Sequence, residues 1–227
     1  MSLLDDLIGY WKFDENTGNT TEDEIGTTDF DVSNYSWITG LIGSAVDTNG
    51  ATNSTLDTTI DFFGSAWTIT AWIKHSSTNL IRPFSNGDSD EVIRLESNDS
   101  GQGSFRLSNF GSQRFAVGSS GTRNGVGDWV FVALRNDGSN NISLLYGDSG
   151  GWQGQLNSAS AGTNRGGKIS FQAKFATDSF GIDEATLYDV SKSDEDIEAL
   201  FDKQLDGLSY PFSADVARRP LSFGSGL

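Results

Sequence analysis

Three groupings in this sequence contain the side chains that catalysis or ion binding needs. Gly147-Asp148-Ser149-Gly150-Gly151 puts a serine in a glycine-rich turn, and His75 lies upstream. A serine nucleophile works only with a base beside it, a carboxylate orienting that base, and N–H groups facing the developing oxyanion. Here the string follows an apolar run at 142–146, and His75 closes another at 67–74 before Ser76 and Ser77. Two hairpin turns account for both without chemistry. The acid clusters are Glu22-Asp23-Glu24, Asp88-Ser89-Asp90-Glu91 and Asp194-Glu195-Asp196. A retaining glycosidase holds two carboxyls about 5 Å apart across a sugar cleft. Neighbouring acids in a turn or at a helix start do not face each other that way, and no strand-like run has the spacing that would aim its acids together into a cleft. No catalytic residue is expected, and the chain reads as a non-enzyme. Calcium suits such turns better, since it takes six to eight oxygens from carboxylates, carbonyls and asparagine. Structural calcium is the expected cofactor, although Asp88-x-Asp90 runs straight into Glu91 and no twelve-residue calcium loop is present.

The totals narrow the field. Fifteen Lys+Arg against 31 Asp+Glu leave a net charge of −16, which repels a phosphate backbone and excludes nucleic acid as a partner. With no cysteine there is no disulfide and no thiolate zinc site, and one histidine rules out a multi-histidine metal site. The first seven residues carry acid where a signal peptide is basic, and nowhere do 18 apolar residues run together. The expectation is a soluble product made in the cytoplasm, with no membrane insertion. Six Trp, five Tyr and fifteen Phe supply a large core.

The elements that must carry these groups are mostly strands. In 67–74, Ile69, Ala71 and Ile73 alternate with Thr70, Trp72 and Lys74. In 168–176, Ile169, Phe171, Ala173 and Phe175 alternate with Ser170, Gln172 and Lys174. That period of two belongs to a half-buried strand. Similar runs lie at 8–13, 92–96, 104–108, 114–117, 129–135, 142–146 and 182–188, separated by Gly, Asn, Asp and Ser. Asn136-Asp137-Gly138-Ser139-Asn140 is the plainest hairpin turn. Together they predict an all-β fold, an antiparallel β-sandwich of the jelly-roll kind. One short helix is expected near the end. Ser193 before Asp194, Glu195 and Asp196 matches a capping box, Ile197, Leu200, Phe201 and Leu205 form one apolar stripe, and Gly207 is the stop. The domain is therefore expected over 1–207. Residues 208–227 hold Pro211, Pro220 and Arg218-Arg219 and read as an extended tail. It is either disordered or an arm that docks on a neighbouring subunit or a particle protein through Tyr210, Phe212, Arg218, Arg219, Leu221 and Phe223.

Several strings recur in a telling order. Gly9-Tyr10-Trp11-Lys12-Phe13-Asp14-Glu15-Asn16-Thr17-Gly18 comes first, then Asp23-Glu24-Ile25-Gly26 and Gly40-x-x-Gly43-Ser44-Ala45-Val46-Asp47. The run 67–73, Asp128-Trp129-Val130-Phe131-Val132-Ala133 and Leu145-Tyr146-Gly147-Asp148 follow. Gly181-Ile182-Asp183-Glu184-Ala185-Thr186-Leu187-Tyr188 and Ser193-Asp194-Glu195-Asp196-Ile197 close the series. This succession resembles the laminin-G-like jelly roll of the concanavalin-A-like lectin/glucanase superfamily over residues 7–205. Phe131 departs from it, being displaced relative to the family's usual histidine.

The resemblance implies a non-catalytic binding module for glycans or proteins. It implies a structural cation flanked by Asp14, Glu15 and Asp183, with strand-edge hydrogen bonding as the alternative. Tyr35, Trp37 and Trp152 are the aromatics expected to stack on sugar rings, and core packing is the alternative for each. Members usually act outside cells, whereas this chain shows no secretion signal, and a phage or virus particle reconciles the two. The expectation is a virion surface component, capsid decoration or tail, that binds glycans. A carbohydrate-binding module of a secreted, extracellular bacterial protein is the alternative, and an endo-acting glycoside hydrolase is third.

Overall fold

The computed structural model describes residues 3–32, 35–49, 54–61, 65–75, 81–85, 94–98, 104–109, 112–116, 127–139, 141–160, 168–173 and 179–212. Each alternating run of the sequence forms a strand. The first half of the chain gives β1 (Leu7–Trp11), β2 (Thr20–Thr21), β3 (Phe30–Asp31), β4 (Ser36–Thr39), β5 (Ser44–Asp47), β6 (Ser54–Asp61), β7 (Ala66–His75) and β8 (Ile81–Ser85). The second gives β9 (Arg94–Asn98), β10 (Ser104–Asn109), β11 (Ser112–Ala116), β12 (Trp129–Asp137), β13 (Asn141–Asp148), β14 (Gly151–Ser160), β15 (Lys168–Ala173) and β16 (Phe180–Tyr188). The helix α1 (Asp194–Leu205) follows.

One sheet runs β14-β13-β12-β7-β16-β5-β4, with β1 also paired to β16, and a second runs β11-β10-β9-β8-β15-β6. All the strand pairs are antiparallel, including the small β2-β3 ribbon. The chain is thus an all-β antiparallel sandwich with one short helix. That helix is not long enough to cross a membrane, and no helix among the described residues is.

Alternation decides what lies between the sheets. Ile69, Ala71 and Ile73 of β7, Val130, Val132 and Leu134 of β12, and Ile142, Leu144 and Tyr146 of β13 join one inner cluster, with Phe84 of β8 contributed by the other sheet. Each such side chain taken out of water contributes about 1.5–3 kcal/mol. The opposite face of the same strands is also apolar in part: Trp72, Phe131, Ala133, Leu145 and Tyr188 point outward. A bare sandwich would leave them wet. Helix α1 covers them with Ile197, Leu200 and Phe201, so β16 is buried at every position.

The helix ends as its sequence requires. The Ser193 side chain accepts the Asp196 N–H, three acids occupy the first turn, and Gly207 follows the last turn with φ 80°. Its buried stripe corrects the expected one. Gln204, not Leu205, faces the sheet, and Leu205 is 36% exposed. The fourth member of the stripe is polar because the surface beneath it is polar. The chain also stays on the domain past Gly207: the Tyr10 ring packs against Tyr210 at 5.4 Å and Phe212 at 5.8 Å, and Phe212 is buried.

Candidate functional site

Strand β16 carries two acids, Asp183 and Glu184, in a buried run. Its pairing with β7 shows how they fit: Asp183 lies opposite Trp72 and Thr186 opposite Thr70, so three steps along β16 match two along β7. One residue is extra, which makes a β-bulge. Glu184 has φ 49°, in the left-handed region that costs a side-chain-bearing residue about 1–2 kcal/mol. Ile182 and Ala185 both keep their places in the inner cluster, so both carboxyls turn to the outer face.

Asp183 and Glu184 are each 0% exposed. Oδ2 of Asp183 accepts the backbone N–H groups of Leu41 at 2.7 Å and Ile42 at 3.1 Å, pinning the turn between β4 and β5. Gly40 is required in that turn, since a Cβ there would sit 2.6 Å from the same oxygen. Oε2 of Glu184 accepts the Tyr10 hydroxyl and, at 3.0 Å, the Ser209 hydroxyl. Gln204 completes the network. It accepts the Trp72 indole N–H at 2.9 Å and donates to the Tyr10 hydroxyl oxygen at 3.2 Å and the Glu184 carbonyl at 3.4 Å. Oδ1 of Asp183 and Oε1 of Glu184 are buried without a partner. Burial, then the adjacent Glu184 charge, push the Asp183 carboxyl up to about 9 against the pull of its two N–H donors. Burial also pushes Glu184 up to about 7, although Tyr10 and Ser209 donate to it and Lys12 lies near.

A cation would need six to eight oxygens around one point. The expected ligands serve separate turns instead. Asp14 accepts the Ser44 N–H at 2.8 Å, and Glu15 accepts the Thr21 hydroxyl and the Glu22 N–H, each at 2.8 Å. Among the described residues, no three His, Cys, Asp or Glu side chains stand close enough together to hold a metal ion.

At the N-terminal end of α1 the same sheet face is open. Arg135, Asp137, Asn141, Ser143, Gln155 and Ser191 line a shallow depression of about 390 Å³. The Arg135 guanidinium donates to the Lys192 carbonyl at 2.8 Å and to Oε1 of Gln155 at 2.9 Å, and it pairs with Asp194 at 2.5 Å. The Asn141 amide at 2.7 Å and the Ser139 N–H at 2.7 Å hold the Asp137 carboxyl below its usual value. Hydroxyl, amide, guanidinium and carboxylate groups stand side by side here, the mixture of donors and acceptors that a polyhydroxy ligand needs.

The fold is shared widely among solved structures. The chain is similar to the binding domain of Paraclostridial Mosquitocidal Protein 1, at 17% identity and a TM-score of 0.66, over 89% of this chain and 53% of that one. It is similar to the receptor binding domain of botulinum neurotoxin D, at 16% identity and a TM-score of 0.57, over 89% of this chain and 54% of that one. A Trypanosoma rangeli sialidase in complex with 2,3-difluorosialic acid matches at 14% identity and a TM-score of 0.63, over 88% of this chain and 33% of that one. The chain thus spans about half the length of the two binding domains and a third of the sialidase. No family model and no curated protein matches the sequence. At such identities the likeness establishes the β-sandwich fold alone.

The residues singled out in the sequence are scattered on this scaffold. Trp152, half-buried, packs on Phe201 at 5.6 Å and Phe131 at 6.1 Å and so helps to hold the helix. Tyr35 and Trp37 pack, half-buried, against the inner cluster, and Trp37 lies on edge strand β4 with its indole N–H donated to the Gly18 carbonyl at 3.3 Å. Trp152 belongs to β14 at the opposite edge, so the three aromatics do not form one platform. Tyr210 and Phe212, expected to meet a partner, pack on Tyr10 of their own chain. Arg218, Arg219, Leu221, Phe223 and the acids 88–91 lie outside the described residues. Ser149 sits in the β13–β14 turn, where Asp148 accepts the Gly150 N–H at 2.7 Å, and strand β12 separates it from His75. No catalytic pair forms there.

Proposed function

We propose that this chain is a non-catalytic, laminin-G-like binding module that recognises glycans. The depression lined by Arg135, Asp137, Asn141, Ser143, Gln155 and Ser191 carries the reading, because most of its polar groups are held on the adjacent strands β12, β13 and β14. Similarity to a toxin binding domain and a neurotoxin receptor binding domain supports a binding role. Arg135 already has Asp194 as its counter-ion, so the ligand is a neutral sugar with adjacent hydroxyls rather than an acidic one. The adjacent acids Asp183 and Glu184 are shut away from any substrate. Binding of neutral oligosaccharides to the purified chain, lost in Gln155→Ala and absent for sialylated ones, is the expected result. Release of reducing sugar from a polysaccharide panel would overturn it.

The site of action we propose is the surface of a phage or virus particle, as capsid decoration or at the tail. Residues 213–227 would dock the module there, since 208–212 are already committed to the sandwich. Truncation after Phe212 should abolish particle association and leave the unfolding midpoint unchanged. A carbohydrate-binding module of a secreted bacterial protein shares the fold and would be indifferent to that truncation.

A further inference from the structure

We propose that the depression at the N-terminal end of α1 is one end of a longer track along β14 to Trp152, and that its ligand is an internal stretch of a linear neutral glycan rather than a chain end. The track presupposes that the depression binds glycans. Its walls decide the direction. Across the sheet Thr68 is buried, and its hydroxyl donates to the Val190 carbonyl at 2.9 Å and accepts the Lys192 N–H at 2.9 Å, so residues 190–192 close that side. Toward the hairpin, Asp137 ends β12 and Asn141 begins β13, so both strands stop there. Over β13, the Phe201 ring covers Gly147, where a Cβ would stand 2.5 Å from it. The remaining side is β14, at the edge of its sheet.

Gln155 and Trp152 both lie on the helix side of β14, since they pair with Leu145 and Gly147, which face α1. The row of Asn141 and the row of Gly147 are six steps apart on β13, about 20 Å at the rise of an antiparallel strand. That length takes several sugar rings. At its far end the Trp152 ring is half-buried on Phe201 and Phe131. Trp11, Trp37 and Trp72 each donate their indole N–H to a protein oxygen. That of Trp152 has no acceptor among the described residues. It lies on the side of Gly154, where a Cβ would stand 3.9 Å away, and so points back toward Gln155.

A half-buried tryptophan presents an apolar edge and a donor together, which suits a ring that has C–H groups on its face and hydroxyls on its rim. Strand β14 carries no charged residue over Gly151–Ser160. A glycan bearing carboxylates or sulfates would meet no counter-charge along it, whereas a neutral one needs none. A site walled at both ends grips the terminus of a chain. This one is walled at the hairpin and open along the strand, so each further sugar meets protein instead of being turned away.

Titration calorimetry on the purified chain, with gluco-, xylo- and manno-oligosaccharides of graded length, reads the track directly. From disaccharide to pentasaccharide the affinity should rise about tenfold or more, the equivalent of one good added contact. Indole N–H resonances give an independent reading. Of the six Trp signals, the one missing in Trp152→Phe belongs to Trp152. It should move with the pentasaccharide and stay still with the disaccharide. Trp152→Phe keeps a ring against Phe201 and Phe131, and it should weaken the pentasaccharide about fivefold while leaving the disaccharide unchanged. Gln155→Ala should abolish binding of both. If Trp152→Phe fails to fold, the dependence on length in the native chain decides alone. An affinity that does not grow with length, or a Trp152 signal that never moves, would overturn the track and leave the depression as a glycan site. Absence of binding by every one of these oligosaccharides would overturn both.

Discussion

The two ends of helix α1 cover one sheet face and treat polar groups in opposite ways. At its C-terminal end, Glu184, Tyr10, Gln204 and Trp72 form a buried hydrogen-bonded network, with the buried Asp183 carboxyl beside it on the Leu41 and Ile42 N–H groups. At its N-terminal end, Arg135, Asp137, Asn141, Gln155 and Asp194 form an open lattice in which each charge is paired or hydrogen-bonded near the surface. Buried polar groups are costly when any member is left unsatisfied, whereas exposed ones can exchange a partner for water. Removing a member of the buried end should therefore cost more stability than removing one of the open end, which is suited to exchanging one hydrogen-bond partner for another.

The largest effect should come from the apolar seam that joins the two ends. Phe201 stacks on Trp72 at 5.5 Å and meets Phe131 at 5.6 Å and Trp152 at 5.6 Å. Phe201→Ala should cost about 3–5 kcal/mol in urea unfolding, the usual range for an aromatic removed from a packed core. A loss below about 1 kcal/mol would mean that the helix is an ornament on a self-sufficient sandwich. Next comes Gln204→Leu, which keeps the size of the side chain and removes its polar atoms. It leaves the Trp72 indole N–H without its acceptor, so a loss of about 1–3 kcal/mol is expected despite the more apolar residue. At the open end, Arg135→Ala should cost less than about 1 kcal/mol because Asp194 is half in water. It should nonetheless abolish glycan binding. Equal losses of stability at Gln204 and Arg135 would erase the distinction between the ends.

This division also marks how far the sequence could be read. Inward-facing residues obey the period of two, so Ile69, Ala71 and Ile73 announced the inner core. The outward face did not announce its burial. Thr70 and Thr186 look like solvent-facing strand residues, yet they share a hydrogen bond at 2.6 Å beneath the helix. Alternation records which face a residue is on and is silent on what covers that face. The bulge was hidden for a related reason: Asp-Glu in a strand looks like a surface step, and only the pairing with β7 shows both acids on one side. The apolar strings Ile182 and Ala185, spaced by three instead of two, were the available signal. Strand β14 reads as a loop by its Gly, Asn and Ser, and it becomes a strand because β13 offers it a free hydrogen-bonding edge. An apolar stripe points to Leu205, whereas the polar surface beneath the last turn of α1 calls for an anchor such as Gln204.

The smallest effect expected is also the one with the opposite sign in pH. Asp137 is exposed, and its carboxyl is held below the ordinary value of 3.8 by the Asn141 amide and by N–H groups of the turn. A lowered carboxyl favours the folded state above the unfolded pKa, and that contribution disappears as pH falls through the folded one. Asp183 and Glu184 are raised, so their contribution is complete below the unfolded pKa, near about 4, and disappears as pH rises toward the folded values. One chain thus loses stability at the hairpin in acid and at the bulge in base. Asp137→Asn should leave the urea midpoint at neutral pH nearly unchanged and flatten its decline below about pH 4. Glu184→Gln should leave the acid limb alone and flatten the alkaline one. The two substitutions should therefore act on separate limbs of a single stability curve, and a variant that moved both limbs would show that the open and closed ends of α1 are coupled.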